Sequence, residues 1–359
     1  MSLSISTPLN ATDFGTLNQA VAGTSLIERN IANLTAETSS GYVSSNFAGL
    51  GDNAGAALDL STQIAGNAAL QSSTNAAANI QQVAQTALGQ IESIASDFAT
   101  QARTLISTPG SAPTVAASAN DALQQVASLL DTQVGDVYVF AGQDSITAPV
   151  PNPADITQSS FYSAIQTAIG NLVTNGAAAT SAATLAIAAP GGTSPFSASL
   201  EAAGVQSEAD LGGGTRIALA PLANANSNAL SSGTGTTSTG SYTRDLLLGL
   251  ATLGSLGNAN TSDPSFQTLV QSTVTTLNGA VSAANTDIGA LGDRQKQVTE
   301  TQAELSGTVT ALQTQLSNVQ DADLTQVATQ LAQAQTQLQA SFQVISSLSQ
   351  LSLTKFLPE

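Results

Sequence analysis

The sequence predicts a mainly α protein, an elongated antiparallel coiled-coil bundle formed by its N- and C-terminal segments, with a small irregular or β-containing insertion between them. Three observations predict it. Apolar residues recur at steps of three and four over long stretches at both ends, so that a helix carries them on one face. Between the two ends, from Ser145 to Gly240, the composition shifts to Pro, Gly, Ser, Thr, Asn and Ala. Alanine also supplies much of the 42% hydrophobic content, while aromatics amount to 4% and Trp is missing. Such helices bring backbones close without filling a wide interior. The expected domains are residues 1–142 as the first half of a helical rod, 143–241 as a variable outward-facing insertion, and 242–359 as the second half.

The first helix is read from Leu17, Ala20, Thr24, Ile27, Ile31 and Leu34. Gly41 and the turn-forming cluster from Ser44 to Gly55 end it. A long helix follows from Ala57, carrying Leu60, Ile64, Leu70, Ile80, Val83, Ile91, Phe98 and Leu105, and Thr108-Pro-Gly110 stops it. Ala119, Leu123, Val126 and Leu130 mark a third helical stripe. Val137-Tyr-Val-Phe140, β-branched and aromatic and followed by Ala141-Gly142, reads as a strand. Within the insertion, Phe161–Leu172 is expected to be a helix and Arg216–Leu219 a strand, in a separate and weakly packed segment. Helical spacing resumes at Leu246, Leu250 and Leu253, then at Phe266, Val270, Val274, Leu277 and Val281.

The C-terminal stretch dominates the pattern. Its stripe includes Val298, Leu305, Val309, Leu312, Leu316 and Val319, then Leu324, Val327, Leu331, Ala334, Leu338, Phe342, Ile345, Leu348 and Leu351. With no proline from Gln295 until Pro358, a single helix of roughly 60 residues is expected, about 90 Å long at 1.5 Å per residue. A stripe of that length must be covered along its whole course, as in a coiled coil. From Leu305 to Thr354 the only charges are Asp321 and Asp323; Gln, Thr, Ser and Ala fill the other faces. Those side chains suit a helix packed among helices on several sides, where an ion would be costly to desolvate. The two terminal helices are therefore expected to run antiparallel and to present intersubunit surfaces. The assembly residues are Leu17, Ile27, Ile31 and Leu34, with Leu324, Val327, Leu331, Leu338, Phe342, Ile345, Leu348, Leu351, Leu353 and Phe356.

Charge and residue types exclude several functions. The net charge is −17, and the seven basic residues are scattered from Arg29 to Lys355. No basic stripe can neutralise phosphates, so nucleic acid is not an expected partner. With no His and no Cys, neither a Ser-His-Asp triad, a Cys nucleophile nor a typical zinc site can be built. Asp321 and Asp323, two residues apart, would fall on different sides of a helix and could not converge on one substrate atom; they read as a solvated or helix-N-terminal pair. Gly49-Leu-Gly51 through Gly55 lacks the preceding strand and following Lys of a phosphate loop, and reads as a helix-to-helix turn. The chain is expected to be no enzyme and to need no cofactor or metal. Met1–Asn10 shows no secretory signal pattern and no apolar run reaches membrane-spanning length, so no membrane insertion is expected.

Five segments together resemble a known family. They are Thr38-Ser-Ser-Gly41 followed by Gly51-Asp-Asn-Ala-Gly55, Asp136-Val-Tyr-Val-Phe-Ala-Gly142, Ile288-Gly-Ala-Leu-Gly-Asp-Arg294, Val319-Gln-Asp-Ala-Asp-Leu324 and Gln350-Leu-Ser-Leu-Thr-Lys-Phe-Leu357. In their order they resemble the bacterial flagellin superfamily, which holds the filament subunit and the hook-to-filament junction protein (hook-associated protein 3). The second and last segments are most like the junction members. Tyr42-Val43 stands where the family has basic residues, and Ser4-Ile-Ser-Thr-Pro-Leu-Asn10 where it has a segment rich in Asn and Thr.

The resemblance implies a structural axial protein of the flagellum, exported without a cleavable signal through the type III apparatus. It would polymerise outside the cell through its terminal helices, at the hook-to-filament junction or, alternatively, as the main filament subunit. The implied partners are further copies in a ring or tube, neighbouring hook-associated and flagellin subunits, and an export chaperone on the C-terminal helix.

Overall fold

The computed structural model describes residues 11–228, 231 and 237–354. Among them the chain is mainly α, with helices packed on one another and two small antiparallel sheets. The helices are α1 (Ala11–Ser40), α2 (Ala54–Ser107), α3 (Ala112–Leu130), α4 (Ser160–Gly170), α5 (Leu172–Ala188), α6 (Ala198–Ala203), α7 (Tyr242–Ser255), α8 (Pro264–Gln320) and α9 (Leu324–Thr354). Strands β1 (Gln133–Val134) and β2 (Val137–Tyr138) form a hairpin, and β3 (Glu208–Asp210) pairs with β4 (Arg216–Ala218). The chain divides into two packed units, one of residues Met1–Asn67 and Gly307–Glu359, the other of Ala68–Ser306.

The larger unit is built around α7, which is buried from Tyr242 through Gly254. A helix covered on all sides must present small residues where neighbours come closest. Gly249 and Gly254 do so. A Cβ on Gly249 would lie 2.6 Å from Leu277 Cδ2, and one on Gly254 would lie 2.1 Å from Asn120 Oδ1. Leu246, Leu247, Leu250 and Leu253 fill the spaces between, in one core with Leu88, Leu123, Leu130, Phe266 and Leu277.

The expectation of a separate, weakly packed insertion is corrected here. Ile156, Phe161, Ile165, Ile169, Phe196 and Leu222 belong to the same core as α3 and α7. Composition misled because Pro, Gly and Ser dominate by number, whereas a few large side chains decide the packing. Polar contacts fix the segment further. Tyr162 donates its hydroxyl to Asn120 at 2.8 Å. The carboxylate of Asp287, 1% exposed, accepts the backbone amides of Ser227 and Asn228 at 2.8 and 2.9 Å. By packing, the chain divides at residues 67/68 and 306/307.

The smaller elements differ in extent from the sequence pattern. The strand expected over Val137–Phe140 pairs only at Val137 and Tyr138, because Phe140 turns into the core and its carbonyl accepts the Ala223 amide at 2.9 Å. Arg216–Ala218 is a strand as expected, and its partner Glu208–Asp210 carried no alternating apolar signal. The helix expected over Phe161–Leu172 ends at Gly170, and the alanine-rich α5 beyond it escaped the periodicity.

Candidate assembly interface

In the other unit, α1 and α9 pack against each other, and their shared end is closed by a backbone joint. Gly41, with φ +76°, ends α1 in the left-handed region that glycine adopts most readily. Just beyond it Tyr42 bridges Asp321 in antiparallel fashion. The Val43 amide donates to the Gln320 carbonyl and the Ala322 amide to the Gly41 carbonyl, each at 2.8 Å.

The joint also corrects the expectation of a single helix of roughly 60 residues running on from Gln295. The break lies at Asp321–Asp323. Asp321 accepts a hydrogen bond from the Ser317 hydroxyl, and Asp323 Oδ1 accepts the Thr325 and Gln326 amides at 3.0 and 3.1 Å. Asp323 is thus an N-terminal cap, satisfying amides that α9 leaves without helical partners. The two carboxylates identified from sequence as a possible N-terminal pair do serve helix boundaries.

From this joint α1 and α9 run antiparallel with a seam of heptad character. On α1 its buried or half-buried positions are Ala20, Thr24, Ile27, Ile31 and Leu34; on α9 they are Val327, Leu331, Ala334, Leu338 and Ile345. Leu34, Val327 and Ala334 form its buried centre, with Ile27, Ile31 and Leu331 packed around them. Burying each large aliphatic side chain is worth about 1.5–3 kcal/mol. Spacing of three and four along both helices keeps the seam aligned.

The structure therefore separates the sequence-derived assembly residues into two faces. Ile27, Ile31, Leu34, Val327 and Leu331 pack in the α1–α9 seam of the chain itself, and Leu338 and Ile345, half-buried, continue the same stripe of α9. Leu324 and Phe342, each 50% exposed, lie off it. The side chains of Leu17, Leu348, Leu351 and Leu353, and the whole of Phe356, lie outside the described residues. Sequence periodicity missed Val21, Leu26 and Val344, which are 52%, 62% and 55% exposed. The available signal was their position: each is a large apolar residue outside the stripe on a helix with few charges. Elsewhere on α9 lies an open surface depression of about 720 Å³, lined by Ala328, Thr329, Ala332, Gln333, Thr336 and Gln337.

Among the described residues no helix is long and apolar enough to cross a membrane, and no group of His, Cys, Asp and Glu could hold a metal ion. No curated protein matches the chain. Residues 272–357, comprising most of α8, the joint and α9, match the family model described as the bacterial flagellin C-terminal helical region. That match makes the C-terminal region similar to that of bacterial flagellins, and it supports a structural protein of the flagellum.

Proposed function

We propose that the chain is an axial subunit of the flagellum at the hook-to-filament junction, polymerising outside the cell through α1 and α9. The observation that carries this reading is the apolar surface that the helix pair leaves uncovered. The α1–α9 seam uses one stripe, yet Leu324, Phe342 and Val344 remain exposed on α9, with Val21 and Leu26 on α1. The surrounding Gln, Thr, Ser and Ala provide few charges to keep these faces wet. Neighbouring subunits would cover them, giving a ring or tube with hook-associated and flagellin subunits at its ends. Before assembly, an export chaperone would shield Leu324 and Phe342, which share one side of α9. In the junction reading, the closing Gln350-Leu-Ser-Leu segment favours this role over the main filament subunit.

Electron microscopy of isolated flagella labelled with an antibody to this chain tests the assignment. A discrete label between hook and filament is expected. Label along the whole filament would assign the chain as the main subunit, and no label on flagella would overturn both readings.

A further inference from the structure

The sequence contains two Asn-Gly dipeptides, Asn175-Gly176 and Asn278-Gly279, and the fold treats them in opposite ways. Asn278 lies within α8 with both ends of its carboxamide held. Its Nδ2 donates to the Val274 carbonyl at 2.8 Å, and its Oδ1 accepts from Arg103 Nη2 at 2.8 Å. Gly279 behind it is buried. Asn175 is exposed, and its carboxamide has no hydrogen-bond partner among the described residues. The backbone leaves helical geometry at the next residue, where Gly176 has φ +76° and ψ 164°, and the space a Cβ would occupy there is open.

We propose that Asn175 is a site of spontaneous deamidation, a built-in modification that needs only water. The Gly176 amide nitrogen gives up its proton to solvent base and attacks Asn175 Cγ. The new C–N bond closes a five-membered succinimide as the side-chain nitrogen leaves, protonated, as ammonia. Water then opens the ring at either carbonyl, giving aspartate or isoaspartate. A following glycine offers no side chain to block the attack, and an unheld carboxamide can rotate into it. At Asn278 the attack requires breaking two side-chain hydrogen bonds and the regular geometry of α8. The product carries a new carboxylate on an exposed surface of a chain already at −17. In a long-lived assembly it would accumulate with age.

The test is peptide mapping by mass spectrometry of the purified full-length protein, incubated folded in mildly alkaline buffer and, in parallel, unfolded in denaturant. In the folded protein Asn175 should convert about tenfold or more faster than Asn278, a barrier difference of about 1.4 kcal/mol. Aspartyl and isoaspartyl products should both form, the latter accepting methyl groups from an isoaspartyl methyltransferase. In denaturant the two sites should convert at similar rates, and Asn175→Gln should remove the fast event. Equal folded-state rates at the two sites, or an Asn175 stable in the folded protein but converted when unfolded, would overturn the proposal.

Discussion

The amide of Ala322 donates to the carbonyl of Gly41 at 2.8 Å, while Val43 donates to Gln320 at the same distance. These bonds join the end of α1 by backbone to the break between α8 and α9, so they depend on Gly41 holding φ +76°. Nothing lies within 4 Å of the position a Cβ would take there. Gly41→Val should therefore act through strain alone, of about 1–2 kcal/mol for a side chain forced into the left-handed region. Amide exchange is the check: Val43 and Ala322 should lose protection, whereas amides of α7 should not. Unchanged protection at both would show that the joint does not rest on this glycine.

The guanidinium of Arg244, 3% exposed, is held by Glu201 Oε1 at 2.5 Å and donates to the Asn224 and Ala188 carbonyls at 3.0 and 3.2 Å. Its carbon also sits 5.2 Å from the centre of the Phe196 ring. Glu201→Ala leaves this charge without its counter-ion. Breaking a buried pair from one side costs about 3–5 kcal/mol, and the two carbonyls should keep the loss near the lower end. A denaturant titration followed by fluorescence of the larger unit's tyrosines should show the midpoint fall. A change below about 1 kcal/mol would mean that the carbonyls and Phe196 suffice.

Asp131 closes α3 and accepts the Val150 amide at 2.8 Å, but burial outweighs that bond and raises its carboxyl from 3.8 to about 6. Burial likewise raises Asp245, against the lowering effect of its hydrogen bonds from Ser238 and Thr239. A folded-state value above the unfolded one means that the fold binds the proton more tightly. The resulting stabilisation is fully present below pH 3.8 and is lost as pH rises through about 6. Asp131→Asn keeps an oxygen for Val150 without the charge. Its melting temperature should exceed that of the parent at neutral pH, and the gap should close towards pH 4. A gap independent of pH would separate the gain from this titration.

Much of this fold is legible in the sequence because long helices declare themselves through period. Leu123, Val126 and Leu130 on α3, and Leu246, Leu250 and Leu253 on α7, were visible in that way. Two kinds of feature were hidden. The break at Asp321–Asp323 has no glycine or proline; it is held by caps and by backbone bonds to Gly41 and Val43, far away in sequence. The packing of Phe161, Phe196 and Leu222 was concealed by small and polar neighbours, since composition averages over the few side chains that supply most of the burial. At the candidate interface, period found the striped apolar residues but neither Val21, Leu26 and Val344 nor which of the striped residues the seam covers. A repeat of three and four places Leu338 and Phe342 one turn apart on the same stripe, and only the partner helix decides which is covered.

That allotment gives the sharpest test of the assembly role. Leu338 is half-buried on the α1–α9 seam, whereas Phe342, one turn on, is 50% exposed. Leu338→Asp places a carboxylate in the seam and should loosen the helix pair in the isolated subunit. Phe342→Asp leaves the seam untouched, so circular dichroism and amide exchange of that subunit should match the parent. In a polymer whose neighbouring helices cover Phe342, the same carboxylate would be buried without a partner, at a cost of several kcal/mol per subunit. Repeated around a ring or tube, that cost should stop assembly while folding survives. Motility and flagellar microscopy of cells carrying Phe342→Asp provide the measurement. Normal swimming with normal flagella would mean that this face stays in solvent, and the intersubunit contact would then have to be sought on another surface of α1 and α9.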